Sequence, residues 1–124
     1  MPGISDLIYS PSRDRKEAIS KVESHTPKID APGKVKAGEK VRFQVTVSSH
    51  PNTVEHSIQW IETYFEEEGR SFNPVLLARF EATPSYTEPI IEITVKLNKS
   101  GTMHALEYCN LHGLWENSRK IVVE

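Results

Sequence analysis

The sequence has a single cysteine among its 124 residues. No internal disulfide can form, and a zinc or iron–sulfur site built from cysteine alone is excluded. An excess of charge is lacking too: 15 Lys and Arg face 17 Asp and Glu, a formal charge of −2 with a pI near 6.2. That balance speaks against a nucleic-acid binder, whose footprint is strongly basic. No apolar run approaches the roughly 18 residues of a membrane-spanning helix. Met1-Pro2-Gly3-Ile4-Ser5-Asp6-Leu7 lacks the basic-then-apolar pattern of an export signal. Internal repeats and low-complexity segments are absent. What remains is one soluble domain, expected in the cytoplasm, long enough to bury a core without cross-links. Against the one cysteine stand five histidines, and this imbalance needs a chemical reading.

The pattern along the chain is that of β-structure after a charged start. Ser10-Pro11 can open a short helix, but residues 11–20 carry no apolar stripe and read as a solvated helix or arm. Val41, Phe43, Val45 and Val47 alternate with polar residues, as a half-buried strand does. Residues 57–65 form a second strand, with Ile58, Trp60 and Tyr64 on one face and Ile61 and Phe65 on the other. In 75–82, Leu76, Ala78, Phe80 and Ala82 line one side. Ile91, Ile93, Val95 and Leu97 make a further strand, and others run from about 102 to 108 and from 119 to 123. Ala31-Pro32-Gly33-Lys34 suits a type II turn, and Asn98-Lys99-Ser100-Gly101 suits a hairpin. The prolines from 27 to 89 fall between or at the ends of these strands. Short strands at regular spacing predict an all-β, immunoglobulin-like antiparallel sandwich with a short irregular or helical N-terminal arm.

Within this frame the histidines fall into a pattern. His50 and His56 bracket Pro51-Asn52-Thr53-Val54-Glu55. In a strand six residues span about 20 Å, and in a helix they turn through roughly 600°. Neither form brings both rings to one ion, so only a turned loop would, and Pro51-Asn52 favours one. Cys109-Asn110-Leu111-His112 is a compact chelate at a strand end, followed by Gly113, which permits a tight turn. His25 lies just before the first strand, with Glu23 nearby. Imidazoles with a thiolate suit iron, copper or zinc rather than magnesium or calcium. A structural zinc site closes with four ligands, whereas a five-ligand iron would keep one position for a small molecule. Blue copper is the runner-up, but its usual axial Met is missing: only Met1 and Met103 exist, and neither follows Cys109.

Three strings carry a resemblance. His50-Pro51-Asn52-Thr53-Val54-Glu55-His56, Cys109-Asn110-Leu111-His112-Gly113-Leu114-Trp115-Glu116 and Tyr86-Thr87-Glu88-Pro89 resemble motifs of the superoxide reductases of the one-iron neelaredoxin type, the desulfoferrodoxin iron-binding domain family. The similarity runs from about Glu23 to the C-terminus, which separates an arm, 1–22, from an iron-binding domain, 23–124. The resemblance implies an immunoglobulin-like sandwich holding one non-haem iron, with His25, His50, His56 and His112 equatorial and Cys109 axial. It implies that Glu23 takes the sixth position in the ferric state. The implied reaction is one-electron reduction of superoxide to hydrogen peroxide, with electrons from a rubredoxin-like donor. It further implies a homotetramer or homodimer. The family's usual Lys between the Glu and the first His is Ser24 here, so its role in attracting superoxide falls to Lys21 or Lys28. The stretch from Phe80 to Tyr86 is shorter than in many relatives. The two-domain desulfoferrodoxins carry an additional four-cysteine iron module, which one cysteine excludes. His104 matches no ligand and reads as structural. Trp60 and Trp115 read as packing, with Trp115, which follows the Cys loop, also placed to shield the site, and Glu66-Glu67-Glu68-Gly69 as a solvated turn.

Overall fold

Period-two alternation of β-branched and aromatic side chains builds the strands, seen in a computed structural model that describes residues 3–11 and 16–124. They are β1 Lys28–Asp30, β2 Lys34–Val35, β3 Lys40–Thr46, β4 Ile58–Glu67, β5 Val75–Glu81, β6 Ile90–Lys96, β7 Gly101–Cys109 and β8 Gly113–Val123. A three-stranded sheet has the order β1-β3-β6, and a five-stranded sheet the order β2-β8-β7-β4-β5. The pairs are antiparallel except β2 with β8, which is parallel. The outcome is the expected all-β sandwich.

Two apolar clusters fill the space between the sheets. Phe43, Phe65, Met103 and Ile121 centre one. Val45, Val47, Ile58, Ile61, Ala105 and Cys109 form the other, so the sole thiol is part of the core. Each fully buried aliphatic or aromatic side chain contributes about 1.5–3 kcal/mol.

Several expectations fail for physical reasons. Ile58 does not share a face with Trp60 and Tyr64. A register irregularity between Ile58 and Trp60 turns it inward beside Ile61. A second irregularity between Thr63 and Tyr64 sends Leu77 and Phe80 inward, and leaves Leu76 exposed. Asn98–Gly101 is not a hairpin: it carries the chain from β6 in one sheet to β7 in the other. Gly33 lacks the positive φ that a type II turn requires at its third residue. The last strand begins at Gly113, well before Arg119.

At the N-terminus, α1 spans Ile4–Leu7, a 3-10 helix spans Lys16–Lys21, and α2 spans Val22–His25. The expected helix from Ser10-Pro11 runs into residues 12–15, which lie outside the described residues. The arm is docked rather than solvated throughout: Ala18 is buried. Tyr9 also makes a parallel bridge to Trp115 on the edge of β8. No helix among the described residues is long and apolar enough to cross a membrane.

Candidate metal centre

One end of the sandwich gathers the predicted ligands. Cys109 ends β7, and His112 sits in the turn that leads directly into β8, with Cys109 and Gly113 opposite each other in register. Gly113 has φ +84, the left-handed conformation that this reversal needs and that a side chain resists. His50 and His56 lie in the loop between β3 and β4, and His25 ends α2.

Two asparagines hold these loops together. Asn110 Oδ1 accepts from the Ser57 N–H (3.0 Å), and its Nδ2 donates to the Glu55 carbonyl (2.8 Å). Asn52 Oδ1 accepts from the Ser85 N–H (3.0 Å), and its Nδ2 donates to the Thr87 carbonyl (3.2 Å), which ties the Tyr86-Thr87-Glu88-Pro89 segment to the histidine loop. Thr53 closes the loop on itself: its N–H donates to the His56 carbonyl, and its Oγ1 accepts from the His56 N–H. The turned loop that the sequence requires is therefore present, and it brings the His50 and His56 rings to 4.6 Å.

The four imidazoles form a square. Ring centroids are 4.6 Å apart for His25–His50, 4.6 Å for His50–His56, 5.1 Å for His56–His112 and 5.0 Å for His112–His25. Neighbouring rings stand edge to face, at 66–87°. Imidazoles bonded to one ion at about 2.0–2.1 Å place opposite centroids roughly 6.4 Å apart, and the His25–His56 diagonal is 6.5 Å. One ligand atom each from His25, His50, His56 and Cys109 lies within 4.8 Å of every other. His112 stands slightly wider and presents Nδ1 to the sulfur at 3.8 Å.

Hydrogen bonds on the far side of the rings fix which nitrogen is offered. His50 Nδ1 donates to the Pro51 carbonyl (2.6 Å), leaving Nε2 3.3 Å from Cys109 Sγ. His25 Nδ1 donates to the Lys21 carbonyl (3.0 Å), with Ser24 Oγ 2.8 Å from the same nitrogen. Nε2 of His25 and of His56 is buried without a partner. A buried orphan of this kind costs about 1–3 kcal/mol, and a shared cation would satisfy both.

The electrostatics favour free lone pairs. Burial, then the neighbouring His50, lowers the His25 pKa to about 4. Burial also lowers His50 and His112. These three rings are held toward the neutral form in which imidazole binds a metal. Burial raises the Cys109 thiol, while the backbone N–H groups of Leu111 and His112 and the charge of Lys21 pull it back down. The donor set is thus a square of imidazoles with a sulfur supported by backbone donors, and iron fits it.

The other predicted residues are placed as follows. Ser24 is half-buried, and its Oγ donates to the Lys21 carbonyl (3.2 Å). Glu23 is exposed and outside the cluster of ligand atoms. Lys21 acts electrostatically on Cys109 and His112. Lys28 is exposed on β1, opposite Thr46, and is not among the groups that shift the cluster. His104 pairs with Glu66 at 2.9 Å, the structural role expected. Trp60 packs on Tyr108 under Arg79. Trp115 does flank the site: it is 2 % exposed, lies against His25 with ring centroids 4.9 Å apart and planes tilted by 35°, and donates Nε1–H to the His112 carbonyl (3.1 Å).

Two residues escape a reading of motifs. Glu107 is fully buried on the inward face of β7, its carboxyl unpartnered and pushed up to about 9 by burial. Its only signal in the sequence is a charged side chain at an inward position, alternating with Cys109. Tyr9 contacts Trp115 from a segment without pattern.

Comparison with known proteins agrees with this geometry. A protein named superoxide reductase from Pyrococcus horikoshii is 45% identical over 103 residues, covering 78% of this chain and 86% of that protein. Neelaredoxin from Megalodesulfovibrio gigas is 36% identical over 121 residues, covering 84% and 91%. A solved structure of superoxide reductase (neelaredoxin) from Ignicoccus hospitalis superposes with a TM-score of 0.93 at 55% identity, covering 99% of this chain and 100% of that one. With the Desulfoferrodoxin profile matching residues 17–118, the chain belongs to the desulfoferrodoxin family.

Proposed function

We propose that the chain is a superoxide reductase. It reduces superoxide by one electron to hydrogen peroxide, with two protons taken up and no dioxygen released. The site is one iron held by His25, His50, His56, His112 and Cys109, and the electron comes from a rubredoxin-like carrier. The observation that carries this reading is the convergence of four imidazoles and one thiol sulfur on a single point. The names of its relatives favour the same activity.

Bound iron would supply a one-electron couple and a Lewis-acid position for a small anion. The remaining work belongs to the chain. Backbone N–H groups of Leu111 and His112 support the sulfur as a thiolate and tune its donation. Trp115 keeps water from one flank. Ser24 orients His25 but brings no charge, so Lys21 draws the anion in. Glu23, two residues before His25, is the carboxylate available to the oxidised state. We take residues 23–124 as the iron-binding domain with residues 1–22 as its arm, working in the cytoplasm as a homotetramer or homodimer.

The test is a metal analysis joined to an assay. The purified protein should hold about one iron per chain, be blue when oxidised, and convert superoxide to peroxide without dioxygen. Cys109→Ser should lose the thiolate-to-iron absorption band. A protein without iron that leaves superoxide untouched overturns the proposal. Copper with no superoxide turnover would instead fit a cupredoxin-like electron carrier, for which Met103, buried beside Phe65, offers no axial ligand.

A further inference from the structure

Tyr9 lies far from every sequence motif, yet it is tied to the end of the longest one, at Leu114, Trp115 and Glu116. Its N–H donates to the Leu114 carbonyl (2.9 Å), and its own carbonyl accepts from the Glu116 N–H (2.8 Å). The intervening Trp115 receives the Tyr9 ring in a stack at 4.7 Å and 26°. A Cβ added to Gly113 would come 3.9 Å from Tyr9 Cε2, so the side-chain-free position lies under the tyrosine ring. Trp115 in turn meets two of the histidines. It lies against the His25 ring, and it holds the backbone of His112 through Nε1.

From these contacts we infer that Tyr9 is a positioning residue of the metal centre. It clamps Trp115 from outside, and Trp115 transmits the constraint to the His25 ring and to the turn carrying His112. The N-terminal arm is then part of the site's wall. The strand bridge fixes where Tyr9 sits, and the stack fixes the plane of the indole, as offset aromatic pairs do. His25 is anchored on its Nδ1 side by the Lys21 carbonyl and Ser24 Oγ. The indole supplies a second, planar restraint on the ring itself.

The inference rests on the iron reading above, and its test separates the two. Tyr9→Ala and Tyr9→Phe are prepared in a Trp60→Phe background, so that fluorescence reports Trp115 alone. In the iron-loaded full chain, well below its melting temperature, Tyr9→Ala should release iron to a chelator about three- to tenfold faster, the range a stacking pair supports. It should also shift or broaden the thiolate-to-iron band and change the Trp115 emission. Tyr9→Phe keeps the ring and should restore all three. Tyr9→Ala with unchanged release, band and emission overturns the proposal, even if its melting temperature falls. Tyr9→Phe as impaired as Tyr9→Ala overturns it as well, because the hydroxyl near Glu17 rather than the stack would then matter. If the parent protein binds no iron, the functional reading fails, while the emission change still decides whether Tyr9 clamps Trp115.

Discussion

Both oxygens of Glu107 are buried without a hydrogen-bond partner, on the inward face of β7 that also carries Cys109. Ionising such a group is costly, and burial raises its pKa to about 9 in the folded chain, against 4.5 as its ordinary value. A thiolate at Cys109 would push the same way. The consequence for stability has a definite sign. Below about pH 4.5 both states hold the proton and the contribution is fully present. As pH rises toward about 9, only the unfolded chain releases it, so stability falls by about 1.4 kcal/mol per pH unit from this residue. By pH 7 the loss is on the order of 3 kcal/mol. Glu107→Gln cannot ionise. Unfolding free energies measured across this range for both proteins should diverge, with the variant lacking that portion of the slope. Parallel curves would show that Glu107 is already ionised or hydrated in the folded chain.

Elements, in contrast, are held by groups whose work is to join them. Asn110 satisfies the fully buried Ser57 and the backbone at Glu55, and so fastens the Cys109–His112 turn to the histidine loop. Asn110→Ala strands the Ser57 N–H and should cost about 1–3 kcal/mol, with weaker iron retention measured by chelator competition. Asn52→Ala, which frees only the N–H of the exposed Ser85 and the carbonyl of the half-buried Thr87, should weaken retention less; equal losses would remove the special role given to Asn110. This joining was not legible in the sequence, because an asparagine in a motif does not declare its partners. The alternation in β3 and β6 was legible, since both strands pair without irregularity. In β4 and β5 the same alternation misled at Ile58 and Leu76, because an irregular register flips every following side chain. Asn98–Gly101 misled differently. Its glycine answers a close approach, since a Cβ at Gly101 would lie 2.1 Å from the Glu66 carbonyl oxygen. The residues that converge at the candidate metal centre were readable from spacing and resemblance, whereas Tyr9 and Glu107 depend on packing between segments distant in sequence.

At the scale of the whole molecule, a net charge of −2 cannot draw in an anion, so any attraction must be local. Where the resemblance implies a lysine, the chain has Ser24, whose hydroxyl is engaged with His25 and the Lys21 carbonyl. Lys21 is the cation whose charge reaches Cys109 and His112, and Lys28 is not. The same 3-10 turn therefore anchors His25 through its backbone and places a positive charge at the site through its side chain. The second-order rate with superoxide, measured against ionic strength, separates the two lysines. Lys21→Ala should lower the rate about three- to tenfold at low salt, within the range of electrostatic steering, and should flatten the salt dependence. Lys28→Ala should change neither. Ser24→Lys should raise the rate and steepen its salt dependence, and in the Lys21→Ala background it should restore both. If Lys21→Ala and Ser24→Lys leave rate and salt dependence unchanged, steering by the chain is absent, and the charge of the iron site alone governs the encounter.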